Sequence, residues 1–241
     1  MSEHPSIQDT GSSPDDEPKT LAEAAYRQLR RDIIEGVHKP GEKLRVEHLK
    51  DQYEVGAGTL REALQLLATD ALVVAQGQRG FRVAPISLDD FEDITRTRVL
   101  LETSALQQSI EHGDDAWEAS VVAAFHLLSR AEEKLFDGSK ATREEWELRN
   151  RAFHEVLISA CPSRWIRHFQ TILYHQSERY RRLSLFRNPI PRDVHAEHQA
   201  IVDAALARDA SEATRILGEH ILRTVEAVRK LPEDFLSRPG A

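Results

Sequence analysis

The sequence predicts a mainly α-helical chain in two parts: three helices closed by a small β-hairpin, then an antiparallel bundle of about six helices. Three observations carry this. Apolar residues recur at helical spacing through most of the chain, strand-like alternation is confined to residues 72–83, and no strand signal survives after Ser87. A length of 241 residues suffices for two domains, at least one with a sizeable core.

Residues 1–18 are rich in Ser, Pro, Asp and Glu and read as a disordered acidic tail. Leu21, Ala25, Leu29 and Ile33 or Ile34 then mark one face of a helix that stops at Gly36, and Lys39-Pro40-Gly41 makes a turn. A second helix, about residues 45–54, buries Val46, Leu49 and Tyr53. Gly56-Ala57-Gly58 joins it tightly to a third, where Leu60, Ala63, Leu64, Leu67 and Ala68 face the core while Thr59, Arg61, Glu62 and Gln65 face away. Leu72, Val73 and Val74 pair with Phe81 and Val83 around a turn at residues 77–80, whose tip carries Arg79. Residues 19–85 therefore form a winged helix-turn-helix, a shape that places one helix in a DNA groove.

The net charge of −8 argues against DNA until the chain is divided. Residues 1–18 hold five acids and no Lys or Arg, residues 19–84 hold 11 basic and 9 acidic side chains, and the remainder holds 21 and 26. The basic excess sits only in the winged domain and is small. One copy is expected to hold DNA weakly, and a homodimer on a two-fold double-stranded operator supplies the rest. Arg61, Arg45 and the wing residue Arg79 are the candidates to reach bases or phosphates, each such fork contributing on the order of 1–3 kcal/mol. Thr59 and the backbone at the glycine-rich helix start and at the wing's Gly80 add phosphate partners. The competing reading pairs Arg61 with Glu62 or Asp51; Arg82 is read as a paired surface arginine.

A single cysteine, Cys161, excludes an internal disulfide and fits a reducing cytoplasm; it reads as a small buried hydrophobe near a helix end. No apolar run approaches the roughly 20 residues that span a bilayer, and the N-terminus lacks the order of a secretion signal. The expectation is a cytoplasmic protein with no membrane partner.

Residues 86–231 read as the bundle and 232–241 as a flexible tail. Ser87 caps a helix that runs to about His112 and stops at Gly113. A second covers about residues 115–136 and ends near Gly138. Thr142 with Glu145 makes a capping box for a third, extending to about Ala160. The fourth covers about 165–186, broken by Pro189 and Pro191; the fifth about 193–207; Asp209 with Glu212 opens the last, which reaches about Lys230.

Four bundle residues belong together. Asn150 and His154 are i and i+4, so they share a helical face, while His198 and His220 come from two further helices, each beside apolar residues. Three imidazoles converging from three helices suit a divalent transition metal such as zinc or nickel. The alternative is three separate histidines at helix surfaces. Arg98 and Glu102, also i and i+4, read on their own as a surface ion pair worth about a few tenths of a kcal/mol.

Gly36-x-x-x-Pro40-Gly41-x-x-Leu44, Leu60-Arg61-Glu62-Ala63-Leu64 and the wing's Gly80 resemble the DNA-binding domain of GntR-family bacterial transcription regulators, over about residues 21–85. Many relatives carry an arginine where this chain has Ala57, so base reading falls to Arg61, Arg45 and Arg79. Residues 87–231 resemble the helical ligand-binding FCD domain of the FadR branch, in which an Asp-x-x-x-His pair and two later histidines bind a metal that helps hold an acidic effector. His154, His198 and His220 fit those positions. Asn150 stands in the aspartate's place, and its neutral amide implies a metal held less tightly, with more positive charge left for an anion. Arg98-Val-Leu-Leu-Glu102 matches the Arg-x-x-Leu-Glu signature of that domain, which implies that Arg98 grips an effector carboxylate by a two-pronged bond and that Glu102 is structural. Arg179 and Tyr180 are further effector candidates, one or two arginines among 179, 181 and 182 should be exposed, and His195 is expected outside the first ring of ligands.

Residues 55–64, 147–154, the Cys161 that follows and Arg179-Tyr180 are also similar to regulators of glutarate and 2-hydroxyglutarate catabolism, implying a small dicarboxylate or hydroxy-acid effector. The resemblance implies a metabolite-responsive repressor and not an enzyme. The rival is a metal-dependent helical-bundle enzyme acting on a hydroxy acid, with an accessory winged domain. Against it, the only Glu-x-x-His spans the helix-ending glycine between Glu35 and His38. Glu155, Glu197 and Glu219 directly neighbour histidines and so point about 100° away from them.

Overall fold

The computed structural model describes residues 18–135, 139–187 and 192–230. The expected tails, apart from Pro18, the helix end at Phe136 to Gly138 and the prolines at 189 and 191 lie outside the described residues. Two compact units part at Val83 and Ala84, with residues 34–36 counted with the second.

The first unit is built from helices α1 (Leu21–Ile34), α2 (Val46–Gln52) and α3 (Ala57–Thr69) and from strands β1 (Lys43–Leu44), β2 (Val73–Ala75) and β3 (Phe81–Val83). Ala25, Leu29 and Ile33 from α1 close on Leu49, Leu60, Leu64 and Leu67, the apolar faces that the spacing picks out. The helix α3 begins with Ala57 directly after the extended Gly56, so Ala57 and Gly58, expected in the link, lie inside its first turn, and the connection is Tyr53 to Gly56 instead. The sheet is antiparallel in the order β1-β3-β2, with Leu44 opposite Phe81 and Val73 opposite Val83. The strand β1 escapes sequence reading because two residues carry no period.

Among its described residues the second unit contains α4 (Leu88–His112), α5 (Asp115–Glu132), α6 (Lys140–Leu157), α7 (Arg164–Arg187), α8 (Val194–Leu206) and α9 (Ala210–Arg229). Its core joins Leu106, Trp117, Val121, Leu128, Phe153, Leu157, Ile201, Leu217 and Ile221. Ser87, Asp114, Asp193 and Asp209 accept the amide protons three residues on and fix four helix starts. One start differs from expectation: α6 is capped by Ser139, which accepts from the Thr142 amide, while Thr142 sits inside the first turn and donates its own hydroxyl to the Ser139 carbonyl. Ser139 presents an equally good cap one turn earlier, and a longer helix wins.

Gly113 ends α4 through close approach. A Cβ there would lie 2.5 Å from the Trp117 ring and 2.6 Å from the Ser109 carbonyl oxygen. No described helix is long and apolar enough to cross a membrane.

Candidate functional site

Asn150 and His154 lie one turn apart on α6, His198 on α8 and His220 on α9, and all four are buried. Phe153 and Leu157, flanking His154, belong to the core and turn that face of α6 inward. The imidazoles form one cluster, with ring centroids 5.7 Å (154–198), 5.3 Å (154–220) and 4.7 Å (198–220) apart. The reading as separate surface histidines therefore falls.

Their outer nitrogens decide what the cluster can hold. His198 Nδ1 lies 2.7 Å from Glu132, His220 Nδ1 2.9 Å from Glu197, and His154 Nδ1 3.9 Å from Glu102. An ionised carboxylate only accepts, so at His198, and at His220 by the shorter of its two Nδ1 contacts, the proton is drawn to Nδ1 and Nε2 is left as a lone pair, whereas 3.9 Å at His154 is too long for a hydrogen bond. For His198 that Nε2 is buried without a hydrogen-bond partner, a costly state for a polar atom and the donor that a transition metal takes up. Each histidine offers a nitrogen within 4.8 Å of the others. A tetrahedral ion with metal–nitrogen bonds of about 2.1 Å spaces its nitrogens by about 3.4 Å, so a modest inward turn of the rings brings them into range. The donor set fits a borderline metal such as zinc or nickel.

Burial keeps two of the three imidazoles, His154 and His220, neutral. It lowers the His220 pKa from 6.5 to about 3, outweighing the Glu197 bond that would raise it. Burial, then the nearby positive charge, holds His154 well below its ordinary value. Burial alone would raise the Glu197 carboxyl; bonds from Arg192 and His220 overcome it and hold that group far below its usual range. Asn150 donates its Nδ2 to the Tyr174 hydroxyl at 2.6 Å, so its oxygen is the amide atom left to ligate.

Two guanidiniums stand beside the cluster. Arg98 on α4 is buried, donating Nε to Glu102 at 2.7 Å and Nη1 to Ser177 Oγ at 3.0 Å. Arg181 on α7 donates Nη1 to the same Ser177 Oγ at 2.6 Å and Nη2 to Glu147. Both lie over the Tyr174 ring, 5.2 and 4.2 Å from its centroid. The alternative reading of Arg98 and Glu102 as a surface ion pair therefore falls, because the pair is buried.

Arg179 and Tyr180, expected in this pocket, turn elsewhere. Arg179 is buried and donates Nη2 to the Ala84 carbonyl at 2.9 Å. Tyr180 stacks on Phe91 with centroids 4.3 Å apart, accepts from the Ser87 amide and donates to Asp90 at 2.9 Å. The reason is that α7 packs on both α4 and α9, and every residue from Gln176 to Arg181 is buried. Without a solvated face, residue type does not tell which arginine points where. Arg182 alone is part-exposed, and it pairs with Glu178 at 2.9 Å. His195 lies outside the cluster, as expected, and bonds Glu132 at 2.8 Å.

In the winged unit Arg45, just before α2, Arg61 on α3 and Arg79 in the wing are exposed, and Thr59 is half-buried in the first turn of α3. Among the described residues the side chains of these three arginines make no hydrogen bond or ion pair, although Arg61 stands near enough to Glu47 to help lower that carboxyl's pKa. The alternative partners of Arg61, Glu62 and Asp51, do not engage it. Arg82 is a held surface arginine, but its partners are the Gln76 side chain and the Gly41 carbonyl, both at 2.9 Å, and not the carboxylate expected. The wing turns at Gly80, whose φ of 84° and ψ of −139° only glycine adopts readily. Three uncommitted cations on a winged unit are suited to phosphates and base edges.

Residues 21–83 match the bacterial regulatory proteins of the gntR family, and residues 93–223 match the FCD domain. The chain belongs to the GntR family. An uncharacterized HTH-type transcriptional regulator, BphR of Paraburkholderia xenovorans strain LB400, is 49% identical over 212 residues, covering 88% of this chain and 86% of its own. The HTH-type transcriptional repressor GlaR of Escherichia coli K12 is 36% identical over 209 residues, covering 85% and 94%. The structure of E. coli McbR/YncC superposes with a TM-score of 0.70 at 20% identity, covering 88% and 98%, a likeness of fold. This GntR-family chain is a DNA-binding transcription regulator, and the enzyme reading is set aside.

Sequence spacing does not find Glu132, Glu197, Ser177 or Arg181. Glu197 points away from its neighbour His198, as its position predicts, and meets His220 of the next helix instead. Tyr174, Ser177 and Arg181 recur at i, i+3 and i+7, so the signal of one shared face is present in the sequence.

Proposed function

We propose that this GntR-family regulator is a cytoplasmic homodimeric repressor, released from a palindromic operator by a small carboxylate bound in its helical domain. One observation carries the effector reading: three buried imidazoles whose outer nitrogens face carboxylates, with a partnerless Nε2 on His198, beside two buried guanidiniums. His154, His198 and His220 would hold zinc or nickel, with the Asn150 oxygen as a fourth donor. The bound ion supplies positive charge and an open position for an anionic oxygen. Arg98, and Arg181 beside it, orient the carboxylate by forked hydrogen bonds, displacing Ser177 as their acceptor. A first ring of neutral donors leaves that charge uncompensated, which favours an anion over a neutral ligand.

Operator contacts fall to Arg45, Arg61 and Arg79, with Thr59 and the backbone near Gly80 on phosphates. Control requires that the effector bind the DNA-competent and DNA-incompetent states with different affinity. The helix α7 is suited to this, because it reaches the pocket through Ser177 and Arg181 and holds, through Arg179 and Tyr180, the segment that follows β3.

A shift assay on DNA upstream of the chain's own coding sequence tests the reading, using zinc-loaded protein and a panel of mono-, di- and hydroxycarboxylates. The expected result is release by one chemical class. Operator binding unmoved by the whole panel removes the carboxylate.

A further inference from the structure

Glu132 is the last residue of α5, a place where the helix dipole disfavours an acid, and its side chain is 9% exposed. Its two oxygens divide between two histidines of α8. One accepts from buried His198 at 2.7 Å, the other from His195 at 2.8 Å. His195 is half exposed and stacks on Phe125, with centroids 5.7 Å apart at 21°.

The other two carboxylates that face the histidine cluster are already neutralised. Glu102 bonds Arg98, and Glu197 bonds Arg192 and Arg223. Among the described residues Glu132 meets no Lys or Arg, so it alone keeps its negative charge for the centre.

We propose that Glu132 is the positioning residue of the metal centre, acting through His198. The inference rests on the metal reading given above. By accepting the Nδ1 proton, Glu132 fixes the tautomer in which His198 Nε2 presents its lone pair, sets the ring's orientation, and makes the ring a stronger donor. Its charge, one hydrogen bond from the ligand, offsets part of the charge of a dication held by three neutral imidazoles. His195 fixes the rotamer of Glu132 from outside.

The test is zinc binding to the full chain, followed by competition with a chromophoric chelator, together with the visible spectrum of the cobalt(II)-loaded protein. Glu132→Gln keeps shape and an acceptor while removing the charge. It is expected to weaken zinc about 10-fold, and Glu132→Ala to weaken it more, within the roughly 10–100-fold typical of such partners. Placed on a His198→Ala background, Glu132→Gln is expected to add nothing, because its effect passes through that ring. The cobalt bands of Glu132→Gln should shift while the helical circular dichroism holds. Wild-type zinc affinity and unchanged cobalt bands in Glu132→Gln overturn the inference but leave the metal reading intact. So does an equal loss on the His198→Ala background, which marks a merely structural role. A wild-type chain that binds neither metal overturns both.

Discussion

At the scale of single residues, burial has forced two of the pocket's imidazoles into their neutral form. His220 is pulled from 6.5 to about 3 and His154 is lowered in the same direction, both mainly by burial. The unfolded chain takes up these protons near pH 6.5 and the folded chain does not until far lower. This contribution is therefore complete above pH 6.5 and is lost as the pH falls toward 3, at about 1.4 kcal/mol per pH unit for His220, with His154 acting in the same direction. Urea titrations of metal-free protein between pH 7 and 5 should show the midpoint falling with acid, and the slope should flatten in His220→Gln. A flat wild-type profile would contradict the neutral buried ring. Arg98 gives a second prediction. Arg98→Ala leaves Glu102 as an unpaired buried charge, expected to cost about 3–5 kcal/mol. Arg98→Lys keeps the charge without the fork, so it should fold and bind zinc while requiring at least about 10-fold more carboxylate for release. Normal release by Arg98→Lys would take the guanidinium fork out of the effector site.

Secondary-structure elements show where sequence reasoning reaches and where it stops. Asp209 and Ser87 are legible as caps because an acceptor stands directly before an apolar periodic run. The start of α6 is not, since Ser139 and Thr142 are both good caps and only packing chooses between them. Ser139→Ala should destabilise by about 1 kcal/mol and Thr142→Ala by less; the reverse order in thermal melts would restore Thr142 as the cap. The convergence of His154, His198 and His220 is legible by the same logic of facing and spacing. Glu132 was not, because its partners stand 63 and 66 residues away and no local period links them. The arginines of α7 fail for another reason, since residues 176–181 are all buried and that stretch offers no polar face to orient the reading. Gly113 marks a further limit: its sequence signal is a stop, but its physical role is contact with Trp117. Gly113→Ala should therefore cost about 1–3 kcal/mol by overpacking, more than the loss of a terminal glycine predicts.

For the whole molecule, the question is how the proposed carboxylate in the bundle would reach a DNA-binding unit elsewhere in the chain. Along α7, Tyr174, Ser177 and Arg181 face the pocket, while Arg179 and Tyr180 hold Ala84 and Ser87 in the segment directly after β3. A turn or slide of α7 that lets Arg181 and Ser177 accommodate an anion must also move the groups bonded to that segment. Arg179 is the sharper probe, because it is an expensive residue to keep: burial lowers its pKa, no described carboxylate bonds it, and its Nε has no partner. Such a group adds little to stability, so its use is sought in the response. Coupling between sites in regulators amounts to about 1–3 kcal/mol, or about 5–150-fold in affinity. Arg179→Gln keeps a donor to the Ala84 carbonyl but not the charge or the fork. It should bind zinc and carboxylate within about 3-fold of wild type while losing most of the carboxylate-dependent release from operator. Arg181→Gln should instead lose carboxylate affinity itself. Calorimetry with the active carboxylate and the shift assay, run on both variants, separate the two roles. An Arg179→Gln protein that binds and releases as wild type does would show that the signal does not travel through α7.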